Sequence, residues 1–86
     1  MTVRVKCMGH IKTSLGREVV ELTGEMSAGE LVDALRKMAG SDPGVGFNRF
    51  NTLLVVNGES AFTAASDDRR LHDGDEVFLV PFSHGG

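Results

Sequence analysis

Leu71-His72-Asp73-Gly74-Asp75-Glu76-Val77-Phe78-Leu79-Val80-Pro81 is the stretch whose reading decides the fold. Asp73-Gly74 is a turn dipeptide, because glycine takes positive φ without a steric penalty. Beyond it, Val77 and Leu79 fall on one face of a strand, and Glu76, Phe78 and Val80 fall on the other. Pro81 has no N–H to give a ladder and ends the strand. Leu71, just before the turn, is placed to plug the core. The sequence then closes on Phe82-Ser83-His84-Gly85-Gly86. Two terminal glycines make a thread with no side chains, able to pass close to another backbone. The plainer reading of such a tail is a frayed end. The remainder of the chain decides between the two.

Upstream, Thr52-Leu53-Leu54-Val55-Val56 is a nearly continuous apolar run and predicts a strand buried on most sides. Asn57-Gly58 is a strong hairpin-turn dipeptide of type I′, and Glu59 to Thr63 returns as a short strand. The cluster Asp67-Asp68-Arg69-Arg70 reads as a solvated loop. Residues 40–50 also read as loop, with Phe47 and Phe50 covering the edge of the core. Gly44-x-Gly46 there lacks the Lys-Ser/Thr ending of a phosphate loop.

At the other end, Val3, Val5 and Cys7 alternate with Arg4, Lys6 and Met8, which predicts a strand with one buried face. Gly9-His10 and Ser14-Leu15-Gly16 bracket a loop or turn, and Arg17 to Leu22 predicts a second strand. Ser27 and Glu30 have the spacing of a capping box. Leu31, Ala34, Leu35 and Met38 follow at helical spacing as one apolar stripe. Arg36 and Lys37 lie late in this helix, where the dipole favours them, and Gly40 suits the position after its end.

Bulk properties exclude several function classes. Eighty-six residues make one small domain with a single modest core. With no Trp or Tyr, five Phe and a net charge of −3, the chain is ill suited to stacking on bases or neutralising phosphates. A single cysteine, Cys7, excludes an internal disulfide and a thiol-rich metal site. His10, His72 and His84 have no metal-ligand spacing. No apolar stretch is long enough to span a bilayer, and the N-terminus lacks a signal-peptide core. A cytoplasmic protein with no nucleic-acid or membrane partner is expected. No catalytic Ser/His/Asp set or carboxylate pair stands out.

The order strand, strand, helix, strand, short strand, strand predicts an α+β fold: a mixed sheet of four to five strands with one main helix packed on one face. The first and last strands pair in its centre. This order, the turn Leu71-His72-Asp73-Gly74-Asp75-Glu76-Val77 and the closing Gly85-Gly86 together resemble the β-grasp, ubiquitin-like sulfur carriers: the molybdopterin synthase small subunits and ThiS. The tail departs from the Pro-Pro-x-x-Gly-Gly ending of many molybdopterin-type members, since only Pro81 matches. The domain boundary is expected at residue 80, with 81–86 a flexible tail.

The resemblance implies a carrier rather than an enzyme. An E1-like partner would adenylate the Gly86 carboxylate with ATP, and a sulfur donor would convert it to a thiocarboxylate. Gly85 would give steric clearance. The acceptor would be a larger synthase subunit of molybdopterin synthesis, or a thiamine or other sulfur pathway. A modifier forming isopeptide conjugates through Gly86 is the alternative, and a binding module without tail chemistry a third. No cofactor is expected on the chain itself. If Val3, Val5, Cys7, Val77 and Leu79 face the core, Met8, Phe78 and Val80 form an outward apolar patch near the tail. With Phe82 and His84 they are the expected partner-binding residues. Cys7 is expected to be a small buried hydrophobe.

Overall fold

The computed structural model describes residues 1–40 and 46–82. Among the described residues, seven elements follow one another: β1 (Thr2–Cys7), α1 (Gly9–Leu15), β2 (Val19–Thr23), α2 (Ala28–Met38), β3 (Thr52–Val56), β4 (Ser60–Thr63) and β5 (Glu76–Pro81). The strands form one sheet in the order β2-β1-β5-β3-β4. β1 and β5 run parallel, side by side at the centre, with Val5 opposite Val77 and Lys6 opposite Phe78. The other neighbours are antiparallel. This mixed five-stranded sheet with α2 on one face is the β-grasp architecture.

The alternation in β1 and β5 is realised in full. Val3, Val5, Cys7, Val77 and Leu79 are all buried and share one cluster with Leu31, Val32 and Leu35 of α2. The capping box that starts α2 is complete. Ser27 Oγ accepts from the Glu30 amide at 3.2 Å, and the Ser27 amide donates to Glu30 Oε1 at 3.0 Å. Gly40, at φ +89°, follows the C-cap Ala39.

The Asp-Gly-Asp-Glu turn has a mechanical role: it sets the register of the parallel pair. Asp73 Oδ1 accepts from the Thr2 amide at 2.7 Å, and the Gly74 amide donates to the Thr2 carbonyl at 2.9 Å. Asp75 Oδ2 accepts from the His72 amide at 2.8 Å, while its carbonyl accepts from the Arg4 amide. Gly74 sits at φ +84°, where a side chain would be strained. Asn57 and Gly58 both have positive φ, as a type I′ turn requires. The Asn57 side chain then ties the hairpin tip to Asp75 and to the Glu76 amide.

Four expectations are corrected. Residues 9–15 form a helix, not a loop. Its N-cap Met8 makes no side-chain cap bond, and Gly9 opens it at φ +57°. What holds it is tertiary: Ile11 is fully buried and Leu15 packs against the core. The second strand starts at Val19 rather than Arg17, because Gly16 at φ +73° first has to turn the chain out of α1. Met38 is 49% exposed, and Val32 takes its place in the buried stripe. Phe47 is wholly buried within the core rather than at its edge, whereas Phe50 is 68% exposed.

Arg49 fastens the chain after residue 45 to α2. Its guanidinium contacts both oxygens of Asp33, at 2.8 and 3.3 Å, and lies 3.7 Å from Asp68 Oδ2. Asp68 Oδ1 accepts from the Gly29 amide at 2.7 Å, in the first turn of α2. The hydrogen bond from Arg49 holds the Asp33 carboxyl below its ordinary range, and the Gly29 amide does the same for Asp68. A carboxylate whose pKa is depressed by folding stabilises the fold above its unfolded pKa, about 3.9. That contribution is lost as pH falls through the lower folded value. Thermal unfolding is therefore expected to show a midpoint that drops on acidification below about pH 4. Asp68→Asn is expected to drop less steeply over the same window. The effect is modest, because these groups are largely solvated. Equal slopes for the two proteins would contradict it.

Candidate functional site

On the outer face of the sheet, opposite the core, the cross-strand pairs bring apolar side chains together. Phe78 lies between Lys6 on β1 and Val55 on β3, and Val80 lies beside Leu53. The Met8 amide donates to the Leu79 carbonyl at 3.1 Å, so Met8 extends the row past the end of β1. Met8 is 40% exposed, while Leu53, Val55, Phe78 and Val80 are half-buried. These side chains make an apolar row on the face of the sheet opposite the core. The Lys6 ammonium stands 5.8 Å from the Phe78 ring centroid and adds a cation at its rim.

The structure thus brings Met8, Phe78 and Val80 onto one surface. Phe82, 38% exposed, follows directly where β5 ends. Its amide donates to the Asn51 carbonyl at 2.7 Å. His84, Gly85 and Gly86 lie outside the described residues. Leu53 and Val55 belong to the same patch and escaped the sequence reading. The run 52–56 was expected to be buried on most sides, yet only Thr52 and Leu54 are buried. The signal was present: a continuous apolar run in a strand with one face on the core leaves an apolar row on the other face.

Cys7 is buried, and desolvation pushes its thiol pKa up, so the thiolate needed for sulfur chemistry is disfavoured there. His10, on α1, and His72, before β5, are both exposed. Among the described residues, no group of three or more His, Cys, Asp or Glu is placed to hold a metal ion. No helix among them is long and apolar enough to cross a membrane.

Three solved structures share this arrangement. SAMP1 from Haloferax volcanii aligns over 100% of both chains, with 21% identity and a TM-score of 0.66. Small archaeal modifier protein 1 from Methanosarcina acetivorans covers 99% of this chain and 96% of its own, at 17% identity and a TM-score of 0.68. A Pyrococcus furiosus protein provisionally described as molybdopterin converting factor, subunit 1, covers 96% of this chain and 99% of its own, at 22% identity and a TM-score of 0.70. At these identities the likeness establishes the fold. A search of curated protein sequences returns no match. The ThiS family model matches residues 5–86, from the middle of β1 through the whole sheet to Gly86. By that match over nearly its full length, the chain belongs to the ThiS family.

Proposed function

We propose that this protein is a sulfur carrier whose reacting group is the Gly86 carboxylate. The observation that carries the reading is the adjacency of the apolar outer face to the root of the Gly85-Gly86 tail. Docking on Met8, Leu53, Val55, Phe78 and Val80 would bring a partner beside Pro81 and Phe82, from which the last four residues continue. Proteins of the ThiS and molybdopterin-subunit type work with E1-like activating enzymes and synthase partners, and the docked partner is here taken to be such an activating enzyme.

The chemistry follows from the weakness of a carboxylate as an electrophile. A Gly86 oxygen attacks the α-phosphorus of ATP, an acyl–O–P bond forms, and pyrophosphate leaves. Sulfide (HS⁻) then attacks the acyl carbon, AMP departs with the acyl–O bond broken, and loss of the sulfur's proton leaves a thiocarboxylate. This chain supplies the acyl group and the docking face. The partner supplies the nucleotide site, so no cofactor resides on the carrier. Molybdopterin synthesis, with a larger synthase subunit as acceptor, is the pathway we assign. The likeness to the Pyrococcus protein supports it. A second reading, a modifier joined to lysines through Gly86, is favoured by the likeness to the two archaeal modifier proteins.

Adenylation tests the shared step. With ATP and the cognate E1-like enzyme, the intact chain is expected to drive pyrophosphate release, and a chain lacking Gly86 is expected to drive none. Equal release by both would sink the reading.

A further inference from the structure

The root of the tail is clamped from two sides, by elements that otherwise have little in common. On one side is α1. A Cβ built on Gly9 would lie 2.9 Å from Pro81 Cγ and 3.4 Å from Cδ. The bare backbone at the start of α1 is therefore seated against the proline ring. On the other side is the turn before β3. Pro81 lies opposite Thr52, and the Asn51 carbonyl accepts the Phe82 amide. That carbonyl is aimed by its own side chain. Asn51 Oδ1 accepts from the Asn48 amide at 2.7 Å and from the Thr52 hydroxyl at 3.3 Å, and its Nδ2 donates to the Gly46 carbonyl. Asn48 Oδ1 in turn accepts from the Phe50 and Asn51 amides.

Phe78 and Val80 do not require this clamp, since they sit on a strand whose pairing fixes them already, and the Met8 amide is held by the Leu79 carbonyl. Four residues follow Phe82, and four extended residues reach at most about 14 Å. The point at which the chain leaves Phe82 therefore fixes the centre of the region within which the terminal carboxylate can meet a nucleotide held by a docked enzyme.

We propose that Gly9, Pro81 and Asn51 are positioning residues: they aim the tail, and so set the rate of activation after docking. The proposal rests on Gly86 as the reacting group. It assigns α1, a helix without local sequence signals, the task of bracing the tail.

The test compares full-length wild type with Pro81→Ala, Asn51→Ala and Gly9→Ala. Each is a substrate for the cognate E1-like enzyme with ATP and saturating sulfide, which discharges the adenylate, and pyrophosphate release is followed against carrier concentration. Each variant is expected to lower kcat about ten-fold or more while KM for the carrier stays within about two-fold, because docking is intact and only the aim is lost. A truncation of Phe78 in the patch should give the opposite split. Gly9→Ala also places a side chain at φ +57°; should it fail to fold, Pro81→Ala and Asn51→Ala decide alone. A kcat within two-fold of wild type in those two variants, or a loss confined to KM, overturns the proposal. Deletion of Gly86 runs alongside. If that chain is still activated, the carrier reading itself fails. If it is inert while the positioning variants behave as wild type, only the clamp fails.

Discussion

Phe78→Ala weakens binding to the activating enzyme by roughly thirty- to thousand-fold, equivalent to about 2–4 kcal/mol. The size follows from the position. Phe78 is the large side chain at the centre of the outer face, flanked by Val55 on one strand and Lys6 on the other. Aromatic residues at the middle of an apolar patch carry most of an interface's energy, and the surrounding contacts mainly exclude water. Truncation removes the anchor and also the ring over which the Lys6 ammonium stands. The core is untouched, since Val77 and Leu79 on the opposite face remain buried. Calorimetric titration of wild type and Phe78→Ala against the enzyme, with unfolding curves for both, checks this. An unchanged affinity in a folded variant would move the docking surface elsewhere.

Phe47→Ala lowers the unfolding free energy by about 3–5 kcal/mol. Phe47 has no exposed surface, and it belongs to the single core cluster with Leu35, Leu54 and Leu79. Its deletion leaves a cavity as large as the core can contain. A domain of this size is stable by about 5–15 kcal/mol, so the variant is expected at the margin of folding. Met38→Ala, on the solvated side of α2, is expected to change stability by no more than about 0.5 kcal/mol. Urea unfolding of the pair decides between a core role for residue 47 and the edge role that the sequence implied. A loss below about 1 kcal/mol for Phe47→Ala would contradict the packing.

The elements that were legible in the sequence are those whose cause is local. Val3, Val5 and Cys7 alternate because one face of β1 is core, and the period of two carries that directly. The Ser27–Glu30 box starts α2 through bonds three residues apart, so four residues suffice to read it. Asn57-Gly58 and Asp73-Gly74 announce turns through backbone torsions that few residues adopt. What was missed has distant causes. Helix α1 has no cap side chain, only Ile11 and Leu15 as apolar contacts, and a first residue seated against Pro81, more than seventy positions away. Phe47 lies in a polar, glycine-rich stretch of sequence, and nearby Arg49 is tied to Asp33 on α2 and to Asp68 between β4 and β5. Leu53 and Val55 read as core because apolarity alone does not say which face of a strand a residue takes. The pairings Leu53–Val80 and Val55–Phe78 put them on the outer face. The candidate site was thus half legible: its β5 and Met8 members came from alternation, and its β3 members needed the sheet order.

The central claim is that the terminal carboxylate leaves this scaffold as a sulfur donor. Intact-mass spectrometry of the chain after incubation with the cognate E1-like enzyme, ATP and a sulfur donor measures it most directly. The account predicts that one oxygen at Gly86 is replaced by one sulfur, in an ATP-dependent reaction that Phe78→Ala slows. A chain that reaches the adenylate and then appears only as isopeptide adducts on lysines, never as the thiocarboxylate, would contradict it.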